Sequence, residues 1–287
     1  MKNIKLKWIA FFLIALFITP EFYAQIKVPP LSPKSTLVQR VGFTDITINY
    51  SRPSLRGRVV FGELVPYNQT WRTGANEATV ISFSDPITLN GISVPRGYYS
   101  LFTVPGEKEW EVILNENIFL TGLNGYNESE DFLRLKVKPD YLTYHVETLT
   151  IDIGEITQTT ATLMISWENT MIKLKIGTNA DTRIMNEIAS TLDDPLSKMG
   201  NIYYSSAAYY LENHKDLDKA MEWVDKAIEI NGQEATYLFL KARIYGELGL
   251  YNKSIDSAKK AQKLAFAANN SSFAEVVEKH IGKWKKM

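Results

Sequence analysis

The densest group of side chains able to do chemistry lies between Tyr50 and Thr79. It holds Arg52, Arg56, Arg58 and Arg72, the aromatics Tyr50, Tyr67 and Trp71, the polar Asn76 and Glu77, and glycines at 57, 62 and 74. Guanidinium forks grip carboxylates, phosphates or sulfates through parallel N–H donors. An exposed aromatic face stacks on a sugar or packs on an apolar ligand, and glycine lets backbone come close to what is held. Four arginines near one another repel unless acids or a ligand offset them. Two arrangements satisfy that condition. In one, Arg52, Arg58, Trp71, Arg72, Asn76 and Glu77 surround an anionic or saccharide-like ligand. In the other, Glu63 and Glu77 pair with Arg58 and Arg72 and pin a long loop to the fold, with Trp71 in the core.

Enzyme templates find little to match. His145, His214 and His280 are scattered, without metal-ligand spacing. There is no nucleophile-elbow motif. The absence of cysteine removes disulfides, thiolate metal sites and catalytic thiols. No catalytic residue, metal or cofactor is assigned. A carboxylate pair for glycoside hydrolysis leaves no local signature, so Glu63, Glu77 and Asp85 keep open a rival class, a hydrolase acting on envelope glycans or peptides. The stretch 121–131 (TGLNGYNESED) is polar and glycine-bearing. It can edge a site or offer oxygens to a cation, but it lacks calcium-loop spacing and reads as a solvated loop.

The elements that must position these residues follow from hydrophobic rhythm. Ile46, Ile48 and Tyr50 alternate with polar neighbours, the period of a half-buried strand. Asn90-Gly91 between Ile87–Leu89 and Ile92–Val94 demands a two-residue hairpin turn. Further strands are expected at 36–41, 79–83, 98–104, 110–114, 132–137, 146–153, 159–167 and 172–176. About ten short strands with turn residues between them predict an antiparallel β-sandwich or jelly roll over 25–177. The proline-rich 25–35 is an extended lead-in.

After Gly177 the period becomes 3.6, and 178–287 reads as an all-α domain. One helix is expected over 181–192, and another starting at Asp194-Pro195 with proline in its first turn. Tyr204, Ala208 and Leu211 recur as Leu238, Ala242 and Tyr245. Ala220, Val224 and Ala227 recur as Ser254, Ala258 and Ala261. Both sets keep a spacing of 34, and paired helices with small residues at their crossings make the tetratricopeptide (TPR) pattern. Two repeats are expected, 201–234 and 235–268, with a final helix at 271–286. The first helix of each repeat normally lines a groove, which would place Tyr209, Asn213, Phe239, Arg243 and Glu247 against a protein or peptide partner. The alternative is that the groove packs on the β-domain of the same chain.

Residues 1–24 have the form of a secretory signal peptide. Lys2, Lys5 and Lys7 precede the apolar run Trp8–Ile18, and cleavage is expected after Ala24. The run is shorter than the roughly 20 residues a membrane span needs. A soluble periplasmic or secreted protein is the expectation, with no membrane span after signal removal. Charge is balanced at 32 basic and 32 acidic residues. It stays close to even within each part, 14 against 16 over residues 25–178 and 15 against 15 over 179–287. Neither part has the basic excess that drives nucleic-acid binding, so nucleic acid is excluded as a partner.

The β-half also resembles a known family of exported bacterial domains. The resemblance runs over roughly 30–176. It rests on Tyr50-Ser51-Arg52-Pro53, Gly57-Arg58, the run Phe61–Tyr67, Trp71-Arg72-Thr73-Gly74-Ala75-Asn76-Glu77-Ala78-Thr79, Pro95–Thr103 and Pro105-Gly106. That family is DUF2911. The resemblance implies an origin in Bacteroidetes-like bacteria and, in some members, appended helical repeats. It brings no activity and no site residues. Together these features lead to a non-catalytic, exported, two-domain ligand-binding or assembly protein of the bacterial envelope. A purely structural envelope component is the third class.

Overall fold

In Thr44–Ser51 every second side chain through Tyr50 is buried, so the alternation of the sequence becomes a strand with one face inward. A computed structural model describes residues 28–192 and 199–287. They fall into two units, one ending at Gly177 and one starting at Thr178. The expected signal peptide and cleavage point lie outside the described residues, as does the helix start expected at Asp194-Pro195.

Among the described residues the first unit holds β1 (Lys34–Val41), β2 (Thr44–Ser51), β3 (Thr79–Phe83), β4 (Ile87–Leu89), β5 (Ile92–Val94), β6 (Gly97–Val104), β7 (Trp110–Asn115), β8 (Asp131–Val137), β9 (Asp140–Gly154) and β10 (Thr160–Thr178). One sheet has the order β1-β2-β3-β6-β7-β8 and the other β5-β4-β10-β9. Every pairing in the first sheet is antiparallel, as are β4–β5 and β9–β10 in the second. The inner faces of both sheets share one core, which joins Ile48, Ile81 and Leu101 to Leu149, Leu163 and Ile172. This is a β-sandwich. Phe102 and Ile113 point the other way and pack with Ala78 and Leu120, so β6 is buried on both faces.

The hairpin forms as the dipeptide demands. Asn90 and Gly91 have φ of 48° and 86°, the left-handed pair of a type I′ turn, which glycine adopts without a Cβ penalty. The expected break between 167 and 172 is absent. β10 runs through it, with register shifts between Ser166 and Glu168 and between Glu168 and Thr170. Glu168 sits at φ 56°. The bulges interrupt the alternation without ending the strand, so the sequence shows a gap where the backbone has a kink.

The second unit holds α1 (Ala180–Leu192), α2 (Gly200–Glu212), α3 (Leu217–Ile230), α4 (Ala235–Glu247), α5 (Tyr251–Ala267) and α6 (Ser271–Trp284). Ala220, Ala227, Ala242, Ala258 and Ala261 are fully buried, as close helix crossings require. Asp216 and Asn270 cap α3 and α6 through Lys219 N and Phe273 N.

One polar cluster ties α1 to the first repeat. Tyr209 Oη donates to Asp181 Oδ1 at 2.6 Å, and Lys215 Nζ lies 2.8 Å from the same oxygen. Lys215 first and Tyr209 second hold the Asp181 carboxyl below its ordinary value. A lowered carboxylate pKa adds stability above the unfolded-state value of about 3.9, and that stability is lost as pH falls through the folded value. Asp181→Asn is therefore expected to lower helical stability at pH 7 and to flatten the acid limb below about pH 4. Helical circular dichroism during thermal melts at pH 3 to 7 measures this; an unchanged acid limb would remove Asp181 from the tie.

Candidate functional site

The arginine-rich stretch separates into ties and a cleft. Arg52 is a tie: Nε donates to Leu149 O at 3.0 Å and Nη2 to Thr150 Oγ1 at 2.8 Å. Arg56 Nη2 donates to Leu31 O at 2.9 Å, which secures the lead-in. Arg58 donates from Nε to Leu55 O and from Nη2 to Ser54 O, both at 2.8 Å. Its fork is thus held by two carbonyls, with N–H groups to spare.

The expected pairing of Glu63 and Glu77 with Arg58 and Arg72 does not form. Glu77 pairs with Lys34 at 3.0 Å, and Glu63 is exposed. Asn76 Nδ2 donates to Ser51 Oγ at 3.2 Å. The reason lies in the backbone. Arg56, Asn68, Thr73 and Asn76 all take positive φ, and each left-handed residue turns the loop so that neighbours in sequence face different ways. The loop is pinned instead by buried threonines. Thr79 Oγ1 donates to Thr73 O at 2.7 Å, and the Thr73 and Thr103 hydroxyls lie 3.1 Å apart. Backbone pairing of Trp71 with Thr103 completes the tie.

Trp71 is largely buried and does not offer a free face. It stacks on Trp167 at 5.8 Å and 19°, and its Nε1 donates to Gly74 O at 3.1 Å. Around its edge opens a cleft of about 380 Å3, which Arg58, Arg72, Leu64, Leu123 and Trp167 line with it. Ser32 and Thr70 supply hydroxyls, and among the described residues no acid is in the lining. Arg72 is the unusual member. Its Nε is buried and has no hydrogen-bond partner among the described residues. Across from it, Gly122 at φ 66° brings loop backbone so close that a Cβ there would stand 2.9 Å from Arg72 Nη1.

Of the six residues expected around a ligand, the cleft gathers Arg58, Trp71 and Arg72; Arg52, Asn76 and Glu77 stand outside its lining. Glu77 edges a separate hollow of about 210 Å3 with Lys34 and Tyr50. Trp167, Leu64 and Leu123 were not signalled by the sequence, because each reads as an ordinary strand or loop residue. Loop 121–131 does edge the site. Arg134 secures it, donating to Asp131 Oδ2, Glu111 Oε2 and Tyr126 Oη, each at 2.7 Å. Burial first, and the bond to Asp131 second, push the Tyr126 hydroxyl well above its ordinary value. The Asp131 and Tyr126 oxygens are thereby engaged by the protein, and no metal-competent cluster of acids and histidines occurs among the described residues. Asp85 and Glu63, like Glu77, are absent from the cleft lining.

In the helical unit the five expected groove residues part company. Phe239 belongs to an apolar core. Tyr209 is buried and tied to Asp181. Asn213 caps α2, and its Nδ2 donates to Tyr209 O at 2.9 Å. Arg243 bridges to Glu212 at 2.7 Å, and Glu247 is exposed. The sequence could place all five on first helices, but not say which of them neighbouring helices cover. No helix among the described residues is long and apolar enough to cross a membrane.

Comparison with known proteins agrees with this division. Residues 201–234 and 235–267 match the tetratricopeptide repeat, a module that suggests protein–protein interaction. No curated protein matches the chain. Residues 32–176 match a family described as "Protein of unknown function (DUF2911)". That span covers half of the 287 residues and the sandwich from β1 nearly to the end of β10. The chain is a member of the DUF2911 family, carrying two tetratricopeptide repeats after the family's domain.

Proposed function

We propose that this chain is a non-catalytic binding and assembly protein of the bacterial envelope, holding a small anionic ligand in the Arg58–Trp71–Arg72 cleft and docking a protein through its repeats. One observation carries the ligand half: among the described residues, Arg72 Nε is buried without a partner, beside a second arginine and with no acid lining the cleft. A buried donor left unmade costs about 1–3 kcal/mol and calls for an explanation. An anion seated between the two guanidinium groups supplies one, because charge-assisted bonds would complete Arg72 and offset the like charge of Arg58. The protein-docking half rests on the tetratricopeptide repeats. Export rests on the lysine-flanked apolar segment at the N-terminus; N-terminal sequencing of the chain recovered from periplasm or medium is expected to begin near Gln25.

The test uses sulfate as the probe. Trp71 and Trp167 border the cleft, so sulfate titrated into the whole chain is expected to change tryptophan emission to saturation. Arg72→Met should abolish that response and melt at or above the wild-type temperature, since the substitution removes an uncompensated buried donor and keeps an apolar body of similar length. A variant that melts far below wild type would instead make Arg72 part of the framework.

A further inference from the structure

We infer that the ligand of the cleft is the C-terminal end of a peptide whose last side chain is apolar, an inference that rests on the anion-binding reading above. The lining is sorted by chemistry. Arg58 and Arg72 provide cationic forks, while Leu64, Val65 and Leu123 provide an apolar wall beside them. Leu64 and Leu123 are 42% and 45% exposed, large for leucines that border a pocket and ready to be covered by a side chain. A carboxylate joined through one carbon to an apolar group spans such a pair of surfaces.

Two neighbouring chemistries fit less well. A saccharide wants an open aromatic face and acceptors for its hydroxyl protons. Here the Trp71 and Trp167 rings stack on each other at 5.8 Å, and among the described residues no Asp, Glu, Asn or Gln lines the cleft. A free amino acid brings an ammonium group. With two arginines and, among the described residues, no acid in the lining, that ammonium meets repulsion and no carboxylate partner. In a peptide the same nitrogen is a neutral amide, so only the negative end remains charged. The volume of about 380 Å3 lies in the range of small-ligand sites and admits a terminal residue rather than a folded surface.

Positioning is already in place. Two carbonyls hold the Arg58 fork, and the close approach of Gly122 sets one side of the Arg72 guanidinium. Preorganised forks lose less freedom on binding, which favours a planar carboxylate over a diffuse charge.

The experiment is isothermal titration of the whole chain with the tripeptide Ala-Ala-Leu as free acid, the same peptide as C-terminal amide, free leucine, Ala-Ala-Ser as free acid, and sulfate. The free-acid leucine peptide is expected to bind at least about tenfold more tightly than its amide, the loss expected when a charge-assisted bond is removed. It should also bind more tightly than free leucine and than the serine peptide. Arg72→Lys keeps the charge without the fork and should weaken the peptide by about tenfold; Arg58→Ala should do likewise, and Arg96→Ala, outside the cleft, should not. Equal binding of acid and amide, or of peptide and free leucine, would overturn the inference. If sulfate still binds in that case, the anion-binding reading survives it; if sulfate fails as well, both fall.

Discussion

Trp167→Ala is expected to destabilise the β unit by about 3–5 kcal/mol, the range for removing a buried aromatic side chain. Trp167 is 2% exposed. It stacks on Trp71 and meets the edge of Phe61 at 6.4 Å. Its Nε1 donates to Glu147 O at 3.2 Å, a carbonyl that also accepts from Leu55 N at 2.9 Å, so truncation removes one of its two bonds. Trp167→Phe separates the two effects: it keeps most of the apolar volume and gives up the hydrogen bond, for about 1 kcal/mol. The chain has two units, so one transition is not assured. Amide hydrogen exchange of the strands during urea unfolding follows the β unit, and far-ultraviolet helical signal follows the repeats. A loss below about 1 kcal/mol in the alanine variant would mean that the indole is not the keystone its burial indicates.

The same substitution should empty the binding site, because Trp167 is the surface on which Trp71 lies. Packing and site are therefore one object here. Trp71 turns its edge to the cleft because Trp167 occupies its face, and Arg72 follows Trp71 in a loop locked by Thr73, Thr79 and Thr103. Variants of the framework will lose ligand together with stability, while variants of Arg72 should lose ligand alone. That contrast separates a binding residue from a supporting one without knowledge of the natural ligand.

What the sequence made legible was whatever local rules decide. Ile46, Ile48 and Tyr50 announce a strand by alternation, Asn90-Gly91 announces its turn, and alanines spaced by 34 announce the paired helices. Each signal lies within one element or one repeat. The site is different in kind. It depends on Trp71 meeting Trp167, two residues from distant parts of the chain, and no local rhythm records such a meeting. It depends also on which way each arginine faces, and that is set by positive φ at Arg56, Thr73 and Asn76. Glycines advertise such turns; arginine and threonine do not. Hence the stretch 50–79 could be recognised as dense in chemistry while its internal pairing was misjudged, with acids expected where threonine hydroxyls and main-chain carbonyls do the tying. The bulged β10 follows the same logic, since Glu168 gives no sign in its type that the strand kinks there and continues.

The repeats carry the second large effect. Phe239→Ala is expected to cost the helical unit about 3–5 kcal/mol, although its place on a first helix had marked it for a partner. Its ring meets Phe273 at 5.6 Å and His280 at 5.1 Å, both edge-on, and it shares a core with Ala258, Val277 and Ile281. α6 therefore covers the Phe239 ring. Arg243→Ala offers the contrast. Its ion pair with Glu212 leaves the two side chains 35% and 45% exposed, and pairs of that kind contribute only about 0–1 kcal/mol. If a protein docks on these first helices, it meets Arg243 and Glu247 rather than an aromatic anchor. Its binding should then weaken markedly with salt, as contacts between solvated charges do. Urea unfolding followed by helical circular dichroism checks the stability pair. A Phe239→Ala protein as stable as wild type would return that ring to the partner surface.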